Sequence, residues 1–130
     1  MYPVTIHYGS ILFDRDMFRP IKNRFCHSKP NGGLWVSPID SKYGWKDFCI
    51  EYNFHVSDLL IHFKIKFRKN ASIYIIDSFK DLQILEMNTI EKFSFPNYEL
   101  LSEKYDAIWL TYKGYLETYS YELNPNLAGW

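Results

Sequence analysis

Two short segments of the chain carry residue types suited to holding a flat cationic ring beside a ribose. One is Thr5-Ile6-His7-Tyr8-Gly9-Ser10. The other is Gly32-Gly33-Leu34-Trp35-Val36-Ser37-Pro38, followed by Tyr43-Gly44-Trp45-Lys46-Asp47-Phe48-Cys49. Together they supply a flexible glycine entry, a short apolar strand and an aromatic-rich helix start. An aromatic face attracts a cation, and glycine lets backbone approach a ligand closely. A nicotinamide-dinucleotide pocket needs these properties, and Tyr43, Trp45 and Phe48 are placed to form one wall of it.

Other chemistries find less support. His7, His27, His55, His62, Cys26 and Cys49 show none of the paired spacings of a metal site, and in the adjacent pair Cys26-His27 one side chain points away from an ion the other meets. No Gly-x-Ser-x-Gly elbow is present, and Cys49 falls on the apolar face of its predicted helix, which argues against a serine or cysteine hydrolase. Asn31-Gly32-Gly33 precedes a strand, whereas a phosphate-binding glycine loop follows one.

The elements that must position these residues are legible in outline. Tyr2 to Tyr8 reads as a first strand ended by Gly9-Ser10, and Ile11 to Phe25 as loop with at most one helical turn. Lys29-Pro30-Asn31-Gly32-Gly33 is a turn by composition, and Leu34 to Ser37 a short strand stopped by Pro38. Asp40-Ser41 is read as the cap of a helix from Lys42 to Tyr52, with Trp45, Phe48, Cys49 and Tyr52 at helical spacing. In Leu60 to Phe67 the residues Ile61, Phe63, Ile65 and Phe67 alternate with His62, Lys64, Lys66 and Arg68, giving a strand with one buried and one basic face.

Further along, Ser72 to Asp77 reads as a central strand, and Asp77-Ser78 caps a helix from Phe79 to Leu85. Asn97 opens a helix through Lys104, and Ala107 to Thr111 is a strand. Lys113-Gly114 is read as a turn, and Tyr115 to Glu122 as an alternating strand. The expectation is one α+β domain over residues 1–130, built on mainly antiparallel sheets with short inserted helices.

Composition agrees with a folded domain. The chain of 130 residues is 47% apolar and 19% aromatic, with Tyr 11, Phe 10 and Trp 4, which excludes a disordered chain and leaves rings for an aromatic-lined cleft. Fifteen basic and fifteen acidic residues balance, so the global positive field of a dedicated nucleic-acid binder is missing. Two cysteines, no signal peptide at Met1-Tyr2-Pro3-Val4 and no apolar run near the roughly 20 residues of a membrane span suggest a reduced, cytoplasmic protein.

Taken in order, these motifs resemble the ADP-ribosyltransferases. The poly(ADP-ribose) polymerase branch has His-Gly on an early strand, then a Gly-hydrophobic-Tyr-Phe strand leading to a Ser-Lys-Ser helix start that ends in Tyr-Cys. His7-Tyr8-Gly9-Ser10 looks like the first motif, Gly33-Leu34-Trp35-Val36 like the second, and Ser41-Lys42 with Phe48-Cys49 like the third. The chain is also similar to small phage and bacterial proteins that share Gly-Gly-Leu-Trp, Gly-Trp-Lys and a strand like Tyr105 to Thr111, which would place it in a host cytoplasm if phage-encoded.

The resemblance implies a split β-sandwich and NAD as substrate. By it, His7 holds the adenosine-side ribose, Gly9 presents backbone to the nicotinamide amide, and Trp35 stands where the ring-stacking Tyr does. Gly33 and Tyr43 also line the cofactor, and Ser37 occupies a position like that of a Ser in the toxin branch. The family's catalytic Glu lies on a late strand after a Leu-x-Gly-Trp segment; Glu117 and Glu122 are the nearby carboxylates, and Glu117 is assigned the role.

A second reading stays open beside this one: a non-enzymatic interaction protein, such as a phage-encoded inhibitor of a bacterial defence or host factor, that keeps the fold without catalysis. In either case His62, Lys64, Lys66 and Arg68 offer a docking surface for a host protein or a nucleic-acid target.

Overall fold

Backbone hydrogen bonding begins at β1 (Thr5–Tyr8), where Thr5 and Ile6 are buried and His7 and Tyr8 half-buried. Gly9, at φ +104°, ends the strand in a conformation that suits glycine. The computed structural model describes residues 2–24, 29–90 and 93–118, and these fall into two compact units. Met1–Phe18 and Gly33–Asn70 make the first unit, and Arg19–Gly32 and Ala71–Trp130 the second.

In the first unit β1 lies between β2 (Ser37–Pro38) and β3 (His62–Ile65) in an antiparallel sheet of order β2-β1-β3. The register sets His7 opposite Phe63, Tyr8 opposite His62, and Ile6 opposite both Ser37 and Lys64. β3 alternates exposed and half-buried side chains as its sequence predicts. β2, however, begins where the predicted strand Leu34 to Ser37 ends. Pro38 pairs with Thr5, which an outer strand tolerates because Pro lacks only the donor, and Ile39 N–H supplies the next bond to the Val4 carbonyl at 3.0 Å.

Helix α1 (Trp45–Glu51) also starts later than Asp40-Ser41 predicts. Its cap is assembled from farther away. The Ser37 hydroxyl accepts Trp45 N–H at 3.1 Å, and the Asp47 carboxylate reaches back to Gly44 N–H at 2.8 Å. Cys49 is wholly buried, and burial, with Asp58 nearby, raises its thiol pKa. Trp45, Phe48, Tyr52 and Phe54 form a chain of ring contacts, with Trp45 stacked on Phe48 at 5.4 Å. Two 3-10 turns, Arg15–Met17 and Val56–Leu60, complete the unit.

The second unit is built around β4 (Ile73–Ile76) and β7 (Ala107–Leu110), a parallel pair in which Ile73 faces Ala107 and Ile76 faces Leu110. Among the described residues β4 has β7 as its one strand neighbour. Between them come α2 (Phe79–Gln83), the antiparallel pair β5 (Met87–Ile90) and β6 (Phe93–Pro96), and α3 (Tyr98–Lys104). Ile76, Leu82, Leu85 and Leu101 form the buried core, with Tyr74, Met87, Tyr105, Ile108 and Leu110 packed against it.

Capping explains the helix starts. Ser78 accepts Asp81 N–H for α2, and Asn97 accepts Leu100 N–H for α3. Asn23 adds a second cap to α3 by accepting Tyr98 N–H at 2.8 Å, while its amide donates to Asn97 and Glu99.

The largest departure from the sequence reading lies at α4 (Tyr112–Thr118), where a turn at Lys113-Gly114 and a strand from Tyr115 were expected. Thr111 accepts Gly114 N–H at 3.0 Å, and the Thr118 hydroxyl bonds back to the Gly114 carbonyl at 2.7 Å. A Cβ at Gly114 would stand 2.1 Å from the Ile76 carbonyl oxygen. Glycine thus lets the helix close onto the end of β4, and that tertiary approach outweighs the β-like alternation of Tyr115 and Glu117.

The architecture is α+β, with four helices and antiparallel sheets beside one parallel pair among the described residues. No described helix is long and apolar enough to cross a membrane. Phe25, Cys26, His27 and the segment Tyr119 to Trp130, with Glu122, lie outside the described residues.

Candidate functional site

His7 reaches its position because β1 alternates, turning its ring to the face it shares with Phe63. The two rings lie 5.1 Å apart, and Phe63 also meets Phe13 edge-on. His7 Nδ1 lies 2.7 Å from the Trp35 main-chain carbonyl. A carbonyl only accepts, so Nδ1 carries the proton, and in the neutral ring Nε2 is left as an acceptor. The bond ties β1 to the segment leading into β2, and the Trp35 indole is 58% exposed there. The strand tip bearing an imidazole and the segment bearing an indole therefore meet.

The neighbouring predicted residues have structural duties of their own. Ser37 pairs with Ile6 and accepts Trp45 N–H, so its hydroxyl oxygen serves as the cap of α1. Gly44 backs onto Ser37, and a Cβ there would sit 3.4 Å from Ser37 Cβ. Tyr43 is half-buried; its carbonyl accepts from the Ser41 hydroxyl, and its own hydroxyl bonds to the Glu51 carboxylate. Gly9 donates its N–H to the Ile61 carbonyl at 3.0 Å, and Gly33 sits at φ +69°. Tyr8, beside this group, has its phenol pKa raised by burial and by the negative charge of Asp47.

Glu117 belongs to the second unit and lies on a helix, not on the predicted strand. Its Oε2 accepts Phe79 N–H at 3.0 Å, so it helps to cap α2, and its Oε1 lies 3.9 Å from Lys113 Nζ. Around it, polar groups gather where β4 and β7 end. Thr111 donates to Asp77 at 2.6 Å, Lys113 approaches Asp77 at 3.5 Å, and Asp81 accepts from both the Ser78 hydroxyl and Asp77 N–H. The bond from Ser78, followed by that from Asp77, holds the Asp81 carboxyl below the usual carboxylate range.

Sequence reasoning found Ser78 but missed this wider network. The readable signal was Ser78-x-x-Asp81, a capping-box spacing, directly after an apolar strand. The structure thus brings His7, Trp35, Ser37 and Tyr43 into one unit, with Gly9 and Gly33 in the same unit, and assigns Glu117 to the other. His62, Lys64, Lys66 and Arg68 are all exposed.

Among the described residues no group of three His, Cys, Asp or Glu side chains could hold a metal ion. What the first unit does present is an imidazole held by a main-chain carbonyl, an exposed indole and backbone with positive φ at glycine. No family model, curated protein or solved structure matches the chain.

Proposed function

We propose that the chain binds NAD beside β1 and β2 and transfers its ADP-ribose to a macromolecular target, on a split β-sandwich like that of the ADP-ribosyltransferases it resembles. The observation that carries this reading is the 2.7 Å bond from His7 to the Trp35 carbonyl. It fixes the tautomer of His7, leaves Nε2 to accept from a ribose hydroxyl, and holds that ring next to the segment presenting an exposed indole.

The chemistry follows from those groups. The bond from ribose C1 to the nicotinamide nitrogen breaks, and its electron pair leaves with the ring. The acceptor's nucleophilic atom bonds to C1 and loses its proton to solvent or base. The transition state is oxocarbenium-like, so the protein must hold the ring flat, orient the sugar and stabilise positive charge. Trp35 supplies the flat face and His7 orients the ribose.

One observation favours a second reading, binding without transfer. The Glu117 carboxylate is already engaged by Phe79 N–H and faces Lys113. An interaction protein that keeps the NAD-type fold and lacks catalysis fits that engagement.

Calorimetry with NAD separates the cases. Trp35→Ala, at an exposed position, should weaken binding by roughly 1–3 kcal/mol from stacking and cation–π attraction. Label transferred from NAD to lysate macromolecules supports the transferase, and binding without transfer supports the second reading. Affinity unchanged by the substitution removes Trp35 from the site, and no binding at all overturns the NAD assignment.

A further inference from the structure

The outer strand β3 and the residues after it carry charge that the fold does not use. From Leu59 to Ile76 the chain holds no Asp or Glu, yet this stretch includes Lys64, Lys66, Arg68 and Lys69. Lys64, Lys66 and Arg68 recur at every second position and are exposed, with half-buried Ile65 and Phe67 between them. Lys64 lies on β3, where successive residues alternate faces, and the alternation of exposed cation and half-buried apolar residue runs on past the strand through Arg68.

Ion pairing sharpens the point. Lys22, Lys104 and Lys113 are each within 4 Å of a carboxylate, Glu99, Glu86 and Asp77 respectively. Among the described residues none of Lys64, Lys66, Arg68 and Lys69 is in such a pair. Like charges a few ångströms apart repel well inside the roughly 8–10 Å screening length of physiological salt. Guarding an outer strand against edge-to-edge pairing takes one or two charges, not an unbroken line of them.

We propose that this line is a docking surface for single-stranded nucleic acid. An extended strand of phosphates presents its charges one after another, as this stretch of chain presents its exposed cations. The cations follow one another along a single stretch of chain that continues β3, and so track one backbone; filling a duplex major groove takes a helix or a two-stranded ribbon. Rings stand beside the row as well. His62 is exposed and contacts Tyr8 across the strands at 5.8 Å, on the sheet face of Lys64. Bases stack on such rings while lysines and arginines meet the phosphates, a combination an acidic peptide does not exploit. The surface uses none of the residues assigned to NAD.

The test titrates the full chain into a fluorescent single-stranded oligonucleotide of about 12 nucleotides, a length within the usual site size. Three to four phosphate contacts predict a log–log salt slope near −2 to −3, a loss of roughly twenty- to fiftyfold between about 50 and 200 mM salt. The variant K64Q/K66Q/R68Q should weaken binding at least about tenfold and flatten the slope, with an unchanged thermal melt; Lys46→Gln on α1 should leave both as they were. No binding at low salt, or binding indifferent to the triple variant, overturns the proposal. So does equal or tighter binding of duplex of the same length, or of a poly-glutamate peptide, since those results would assign the line to duplex or to an acidic protein.

Discussion

The two units differ in what they do with their apolar residues. Among the described residues, the second unit buries Ile76, Leu82, Leu85 and Leu101 in one cluster and leaves four large apolar side chains exposed: Ile75, Ile84, Tyr112 and Leu116. The first buries Ile6 and Cys49, and far more of its apolar stock stays at the surface, including Leu12, Met17, Trp35, Ile50, Tyr52 and Leu60. Charge follows the same division. Lys22, Lys104 and Lys113 of the second unit are paired with carboxylates, whereas among the described residues Lys80 of that unit and the lysines along and after β3 are not. Burial and paired charge favour folding, while exposed rings and unpaired cations favour contact with something else. Among the described residues, the buried apolar core is thus concentrated in the second unit and the exposed apolar surface in the first.

Substitutions that damage the core of the second unit should therefore have the largest effect. Leu101→Ala removes a nearly fully buried side chain and should cost about 2–5 kcal/mol of unfolding free energy. Gly114→Ala should cost about 3 kcal/mol or more, because the new methyl group would meet the backbone oxygen of Ile76, which has little freedom to move. Chemical denaturation followed by circular dichroism checks both. A loss under about 1 kcal/mol for each would mean that the core is looser than its burial indicates.

Local signals made much of this readable beforehand. Ser78 and Asn97 were expected to start helices and do, since a cap acts within three residues of itself. β3 announced itself by alternation, and β7 by its apolar run. The failures are non-local. The cap of α1 comes from Ser37, eight residues upstream, so the nearer Asp40-Ser41 looked like the start. α4 depends on Thr111 and on the closeness of Gly114 to Ile76, while the alternating residues of Tyr115-Leu116-Glu117-Thr118 imitate a strand. Of the paired strands β5 and β6 there was no expectation, because Ile90-Glu91-Lys92-Phe93 lacks the Asn-Gly or Asp-Gly that marks a tight hairpin. At the site, no motif signalled that the His7 ring would bond to the Trp35 main-chain carbonyl, because a backbone acceptor leaves no mark in residue type.

A middle-sized effect should come from the caps of the second unit. Ser78→Ala removes the acceptor of Asp81 N–H and should cost about 1 kcal/mol. Its partner Asp81 adds a pH signature. The folded carboxyl titrates below the usual range, so its stabilisation is fully present above the ordinary carboxylate pKa. It is lost as pH falls through the lower folded value. Melting temperature should drop on acidification below about pH 4 in the wild type, and Asp81→Asn should be less stable at neutral pH with a shallower acid decline. Parallel declines in the two proteins would assign the acid sensitivity to other carboxylates.

The smallest effect should come from the exposed apolar residues of the first unit, and it tests the division most directly. Leu60 is 84% exposed and Ile50 58% exposed, so in the isolated chain each has little buried area to lose. Leu60→Ser and Ile50→Ser should each change unfolding free energy by no more than about 0.5 kcal/mol. The comparison with Leu101→Ala then spans most of the range that single substitutions cover. Were Leu60→Ser to cost as much as Leu101→Ala, Leu60 would be covered in solution, by a second copy or by chain the described residues do not include. Unfolding midpoints at two protein concentrations would separate those cases, because only association between copies makes stability depend on concentration.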